Sequence, residues 1–365
     1  MNQLKVTEVW RKRFGQNVPL FDISTDDEKI IVYLNNFQTT GDNTLNTLVL
    51  LHRNGNIVKE LPLNPSFSVS ALKIVGGHIV CIGSKGAEYY YETYDFSLDL
   101  SASGTLNNIG KRFKVFIKNK DWYFFHFPTW SGESKKFLTC YKNGAMFWRK
   151  DMDLNEFRAV SSSDESRLVH IVKEKENLPQ ENEICILDFD GREAFTVKLQ
   201  SRNEYPSCSS DNLTAIGEDD FDAKPSFLSV FDNHGNPLFK KQLRIEPHDV
   251  FISKKELVFV TLHSEYDSNV GGVIIFDKKG NEINHIDTCA WGLRSVQTKN
   301  GKAVAIPCGG KTLIFDENGQ LVKIIENTMT FHQAAGASHI LTKNETLSKD
   351  VTKIRPSELI LIKIS

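Results

Sequence analysis

The chain has 365 residues with 44 basic and 46 acidic side chains, so no global field draws it to nucleic acid or to an anionic membrane. No run approaches the roughly 18 apolar residues of a membrane span, and the opening MNQLKVTEVWRKRFG lacks the apolar core of a secretory signal. The expectation is a soluble, cytoplasmic protein with no nucleic-acid or membrane partner, and its hydrophobic content of 40% is enough for a core.

In chain order, TEVWRKRF reads as a strand with no unit before it. TLVLLHRNGNIVKEL follows as a strand, a tight turn at Gly55 and a second strand; glycine suits such a turn because it reaches positive φ without steric cost. YYYETYDFSLDL is a degenerate copy that keeps Asp95 but has Leu98 where glycine is expected. The hairpin recurs in KKFLTCYKNGAMFWRKDM around Gly144, EICILDFDGREAFTVKL around Gly191, SFLSVFDNHGNPLFKKQL around Gly235, GGVIIFDKKGNEINHID around Gly280 and KTLIFDENGQLVKII around Gly319. Aligned three residues before the glycine, the copies place His52, Asp95, Tyr141, Asp188, Asp232, Asp277 and Asp316 in register, with spacings of 43, 46, 47, 44, 45 and 39. A period of 40 to 45 with short strands marks propeller blades; helical repeats would carry a 3.6-residue periodicity.

Each unit divides into four strands, as in FRAVSSS, SRLVHIV, EICILDF and EAFTVKL, with a Ser/Asp-rich link after the first that recurs as ISTDDEK, SSSDES and SCSSDN. The last unit, TFHQAAGA, SHILTK and SELILIKIS, is one strand short, and pairing Val6–Phe14 against Glu358–Ser365 completes it. The reading is a single all-β domain over residues 1–365, an eight-bladed β-propeller closed by its N- and C-terminal strands. Seven blades would require the second unit to be a long insertion. The outer strands carry lysine and arginine, as in WRKRF and FWRKDM, which suppresses edge-to-edge pairing. Arg11, Lys12 and Arg13 are read as edge protection rather than a phosphate site. Cys81, Cys140, Cys185, Cys208, Cys289 and Cys308 are scattered, with no zinc-ligand spacing, and are read as reduced structural residues.

The pattern of hydrophobic strand, Asp, two residues, Gly and a strand with Trp resembles the blade repeat of the quinoprotein-like and related WD40-like propellers. Trp10 in TEVWRKRF and Trp148 in NGAMFWRK stand where the quinoprotein family places its blade-docking Trp. The resemblance covers nearly the whole chain and implies the fold; the family itself spans dehydrogenases, assembly lipoproteins and scaffolds. The chain departs from the dehydrogenases in having no adjacent-cysteine pair and no signal peptide, and from the lipoproteins in having no N-terminal lipid-acceptor cysteine.

Chemistry in a propeller is expected where first strands begin or in the links between second and third strands, because those share one face. Arg112, Arg158 and Arg294 with His248 and His332 stand at such positions and would suit an anionic ligand, since guanidinium forks bind carboxylate or phosphate. The plainer account is a solvated rim, partly paired with acids such as Asp249. His248 and His332 could also act as acid and base, but no third metal ligand appears at a compelling spacing. Glu218, Asp219, Asp220, Phe221 and Asp222 lack the alternating pattern of a calcium loop and read as a solvated acidic link. With Phe221, Tyr266 and Trp130 as aromatic anchors, the Asp219–Asp222 link could instead bind a protein. Gly83, Gly86, Gly309 and Gly310 read as turn residues. The sequence contains no GxSxG, GxxxxGK[ST] or HExxH and implies no cofactor and no catalytic set. The leading expectation is therefore a non-catalytic interaction module with a protein partner and no stated oligomeric state; the alternative is an enzyme or binder of a small anionic ligand using the central funnel.

Overall fold

The computed structural model describes residues 4–35, 46–86, 88–106, 112–118, 121–127, 136–152, 157–161, 169–173, 183–198, 207–210, 212–218, 225–263, 271–288, 295–308, 310–328, 333–345 and 357–365. Among them there is no helix, and hence none long and apolar enough to cross a membrane. After β1 (Val6–Phe14), sheet 1 holds β2 (Asn17–Ile23), β3 (Lys29–Asn35), β4 (Thr47–His52) and β5 (Ile57–Pro62). Sheet 2 holds β6 (Phe67–Val75), β7 (His78–Lys85), β8 (Glu88–Tyr94) and β9 (Leu100–Leu106). Sheet 3 holds β10 (Arg112–Lys118), β11 (Asp121–Phe127), β12 (Lys136–Lys142) and β13 (Ala145–Met152). Sheet 4 holds β14 (Phe157–Ser161), β15 (Val169–Lys173), β16 (Glu183–Leu187) and β17 (Glu193–Lys198). Sheet 5 holds β18 (Ser207–Ser209), β19 (Leu213–Glu218), β20 (Phe227–Asp232) and β21 (Pro237–Gln242). Sheet 6 holds β22 (Pro247–Ile252), β23 (Val258–His263), β24 (Gly271–Phe276) and β25 (Glu282–Asp287). Sheet 7 holds β26 (Val296–Gln297), β27 (Ala303–Cys308), β28 (Lys311–Asp316) and β29 (Leu321–Glu326). Sheet 8 runs in the order β1, β32 (Ser357–Ile364), β31 (His339–Glu345) and β30 (Ala334–Ala335), so β1 is its fourth strand.

All pairing within these eight described sheets is antiparallel, and residues 67–106 form a four-stranded sheet. The middle strands are continuous apolar runs because both of their faces are covered. In β3, Ile31 and Tyr33 pack toward sheet 2, whereas Ile30 and Val32 pack toward sheet 8. Similar clusters join sheets 2 and 3, 4 and 5, 5 and 6, 6 and 7, and 7 and 8. Each leucine or isoleucine buried in this way contributes about 1.5 to 3 kcal/mol. First strands neighbour first strands, with β2 between β6 and β30, and β18 between β14 and β22.

The recurring hairpin shows why its sequence repeats. Asp188, Asp232, Asp277 and Asp316 each use Oδ1 to accept backbone N–H groups two and four residues on, while the glycine N–H bonds the Asp carbonyl. That is an Asx-type turn closed by a left-handed residue. Asp95 does the same work, and Leu98 holds the left-handed position itself at φ 55, its side chain buried in the cluster between sheets 1 and 2. At Gly144 the turn is instead the two-residue Asn143–Gly144 link, both at positive φ, so Lys142 rather than Tyr141 occupies the Asp position.

Most of the turn glycines accept a ring from the preceding sheet, whereas Gly319 packs against Ile275 and Leu257. A Cβ on Gly55 would lie 3.3 Å from the Trp10 ring and one on Gly191 would lie 2.9 Å from Trp148. The indoles also donate Nε1–H to the carbonyls of Arg53 at 2.7 Å and Phe189 at 2.8 Å. Phe195 over Gly235 and Phe239 over Gly280 repeat the contact without the hydrogen bond. The docking role expected of both tryptophans is therefore met. Gly83, by contrast, is no turn residue: it lies within β7, where a Cβ would come 2.1 Å from the Ser68 carbonyl.

Candidate functional site

Strand direction divides the molecule into two ends. First-to-second and third-to-fourth links lie at one, the turn end; second-to-third links and the starts of first strands lie at the other, the link end. Second-to-third links are long in six sheets, at residues 36–46, 128–135, 174–182, 219–226, 264–270 and 346–356, and short only at 86–87 and 309–310. Third-to-fourth links span two to five residues.

Three of the five funnel candidates are brought to the link end. Arg112 opens β10 opposite Phe127, Arg158 is second in β14 opposite Val172, and His248 is second in β22. Arg294 and His332 lie outside the described residues, as do Asp219, Asp220, Phe221, Asp222, Tyr266 and Trp130. Glu218 is corrected: it is no solvated link residue but the buried last residue of β19, where Oε1 accepts from Ser229 Oγ at 2.5 Å and Lys240 Nζ at 3.1 Å. The register explains this, since pairing with Phe227 carries β19 one residue further than the apolar pattern suggests.

Around His248 the structure adds groups that the sequence did not single out. Pro247 pairs with Leu262 and Asp249 with Thr261, which leaves His248 as a bulged residue; bulges of this kind re-aim a side chain. Its ring stands 5.7 Å from that of buried His263 in an edge-on arrangement. The His263 N–H bonds the Glu246 carbonyl at 3.0 Å. Asp249 turns to the next sheet and accepts from Ser295 N–H at 3.2 Å and Oγ at 3.0 Å. Burial pushes its carboxyl up from the ordinary value, against those two bonds and nearby His248, which hold it down. The one available signal is Pro247 directly before His248, since proline in a sheet is confined to edges, first positions and bulges. Among the described residues no group of three His, Cys, Asp or Glu side chains is placed to hold a metal ion. Cys81, Cys140, Cys185 and Cys308 are buried and form no disulfide, and burial pushes the Cys81 and Cys140 thiols up, which makes those two inert.

No family model matches the sequence, and no curated protein matches it. Solved structures do resemble it. The Dos1 propeller covers 98% of this chain and 94% of its own at 11% identity and a TM-score of 0.60. Apo AztD from Citrobacter koseri covers 91% and 94% at 12% identity and a TM-score of 0.51. Prolyl oligopeptidase B from Galerina marginata covers 96% of this chain at 12% identity and a TM-score of 0.53, but only 55% of its own length is matched. Likeness at such identities speaks to architecture alone. Sheets of four antiparallel strands packed in succession, together with these neighbours, establish that the chain has the β-propeller fold.

Proposed function

We propose that the chain is an eight-bladed propeller of the quinoprotein-like and WD40-like kind, one domain over residues 1–365, with its ring closed by β1 in sheet 8. In this reading it is a cytoplasmic, non-catalytic interaction module that presents its link end to a protein partner. The observation that carries the reading is the asymmetry of the two ends: polar links of seven to eleven residues join second to third strands in six sheets at one of them, while third-to-fourth turns of two to five residues lie at the other. Long links on a rigid scaffold are where binding residues concentrate. Asp219, Asp220, Phe221, Asp222 and Tyr266 are the partner-contacting candidates within them.

Affinity capture of the tagged protein from native cytosol tests this, with an Asp219→Ser, Asp220→Ser, Asp222→Ser variant as control. A near-stoichiometric partner that the variant loses supports it. A partner held equally by the variant, or none at all, overturns it. The second reading, a small anionic ligand or catalysis in the funnel, draws on Arg112, Arg158 and His248 beginning first strands at one end. It requires Arg294 and His332 to converge with them.

A further inference from the structure

On the outer wall of the molecule a cleft of about 270 Å³ opens along the seam between sheets 5 and 6. Register builds both of its walls. Along β21 and the link after it, Phe239, Lys241 and Leu243 alternate onto the face toward sheet 6, where Phe239 covers Gly280 and Leu243 joins the core of the seam. On β25, Glu282, His285 and Asp287 pair with Phe276, Ile274 and Gly272. All three therefore face sheet 5, because the bulge at Ile283 cancels one step of alternation. Leu243, Ile274 and Phe276 make the floor apolar.

Charge is divided between the walls: exposed Lys241 and Arg244 on one, exposed Glu282 and Asp287 on the other. Arg244 Nη2 donates to Asp287 Oδ1 and to His285 Nε2, the latter at 2.8 Å, which fixes the guanidinium across the seam. Two of its five N–H groups are spent in this way, and among the described residues no acceptor meets the other three. The Lys241 ammonium likewise has no partner among the described residues, and Glu282 meets only His285 Nδ1, at 3.7 Å. The repeat does not ask for these groups. Nine residues after the turn glycine, where this unit has Arg244, the other units with a turn glycine have Asn64, Asp153, Gln200, Cys289 and Thr328.

The volume lies below the roughly 300 to 1,000 Å³ of pockets for drug-sized ligands, so the occupant is small. A lone anion or a lone cation would match one wall and be repelled by the other. We propose that the cleft binds a free α-amino acid with an apolar side chain. Its carboxylate meets Lys241 Nζ and the open N–H groups of Arg244, its ammonium meets Glu282, and its side chain lies over Ile274 and Phe276; His285 and Asp287 position Arg244. The site lies on the outer wall, away from the long links, and does not depend on the docking reading.

The test is a titration of the full chain with L-leucine at pH 8, followed through the imidazole 1H–13C signal of His285, assigned by His285→Gln. A saturable shift is expected. Isovalerate, isoamylamine and glycine, which lack in turn the ammonium, the carboxylate and the apolar side chain, should each bind about tenfold more weakly or worse. Glu282→Gln and Lys241→Met should each lower the affinity for leucine by about tenfold, and Glu60→Gln, at the place in sheet 1 that matches His285, should leave it unchanged. Lys241→Arg should keep binding, which separates a lost charge from a disturbed strand. No saturable shift with leucine, or wild-type affinity in Glu282→Gln or Lys241→Met, overturns the proposal. So does isovalerate or isoamylamine binding as tightly as leucine, which would assign the cleft to a ligand of single charge.

Discussion

The two ends of the molecule solve their polar problems differently. At the turn end, one seam is joined backbone to backbone: Lys299 N–H bonds the Gly336 carbonyl at 2.7 Å and Asn300 N–H bonds the Ala337 carbonyl at 3.0 Å, linking sheet 7 to sheet 8. Lys254 N–H reaches Gln297 Oε1 at 2.9 Å between sheets 6 and 7. Asp27, buried in sheet 1, takes Ser338 N–H, Ser338 Oγ and His339 Nδ1 from sheet 8, all on Oδ2. At the link end, the described residues show no backbone hydrogen bond between sheets, only side-chain bonds such as Lys343 Nζ to the Val18 carbonyl at 2.8 Å. Buried atoms without a hydrogen-bond partner occur at both ends: Gln16 Oε1, Asn46 Oδ1, Glu246 Oε2 and Gln333 Oε1 at the link end, and Asp27 Oδ1 and His52 Nδ1 at the turn end. The ends differ in their links, third-to-fourth turns of two to five residues at one against second-to-third links of seven to eleven residues in six sheets at the other.

Four experiments break or sharpen that contrast. Deleting residues 4–14 removes β1 from β32 and lifts Trp10 off Gly55. Loss of a single cooperative unfolding transition is expected in a thermal melt, and an unchanged melt would show that sheet 8 stands without its fourth strand. Asp27→Asn should cost about 2 kcal/mol in urea unfolding, because it replaces the buried carboxylate that accepts hydrogen bonds from Ser338 and His339. Its pH dependence has a definite sign. Burial pushes the Asp27 carboxyl up, but the bonds from His339 and Ser338 outweigh it and hold the group below the ordinary value. The stabilisation is therefore present above the usual carboxylate range and vanishes as pH falls through the lowered value. Asp27→Asn should flatten this acid limb of the stability curve, and an identical limb would assign it to other carboxylates.

Gly191→Ala should cost about 2 to 3 kcal/mol, combining left-handed strain with displacement of the Trp148 ring. Gly86→Ala isolates the strain, since Gly86 also has positive φ but open space beside it; about 1 kcal/mol is expected. Equal costs at both sites would mean that the ring contact adds nothing. The smallest effect has the opposite sign: Glu246→Gln at the link end should raise stability by up to about 1 kcal/mol, because it neutralises an acid whose buried oxygen is unpaired. A loss of stability would show that the charge already serves the fold.

The fold was legible because the turn writes its requirements into sequence. Asp and Gly three residues apart are a hydrogen-bond acceptor and a left-handed residue, and neither is easily replaced; Leu98 succeeds only by burying its side chain in a position of positive φ. Register was less legible. Tyr141 and Lys142 differ by one place because a shorter turn shifts the hairpin, and Gly83 resembles a turn glycine until the carbonyl of Ser68 is seen against it. The site was least legible. Arg112, Arg158 and His248 could be assigned to one end from strand direction alone, but His248 meets the His263 ring through a bulge that periodicity does not encode.

The pairing of β1 with β32 also governs how the molecule answers to force. Val6 faces Ile364, and Lys5 and Ser365 exchange backbone hydrogen bonds, so the two strand ends lie side by side. Tension applied between residues 5 and 365 would load that ladder one rung at a time, in an unzipping geometry, rather than shearing all its rungs together. A protein held by both of these points would give way at the sheet 8 seam under low force, while pulling from residue 5 and a site in sheet 4 would load the inter-sheet cores first.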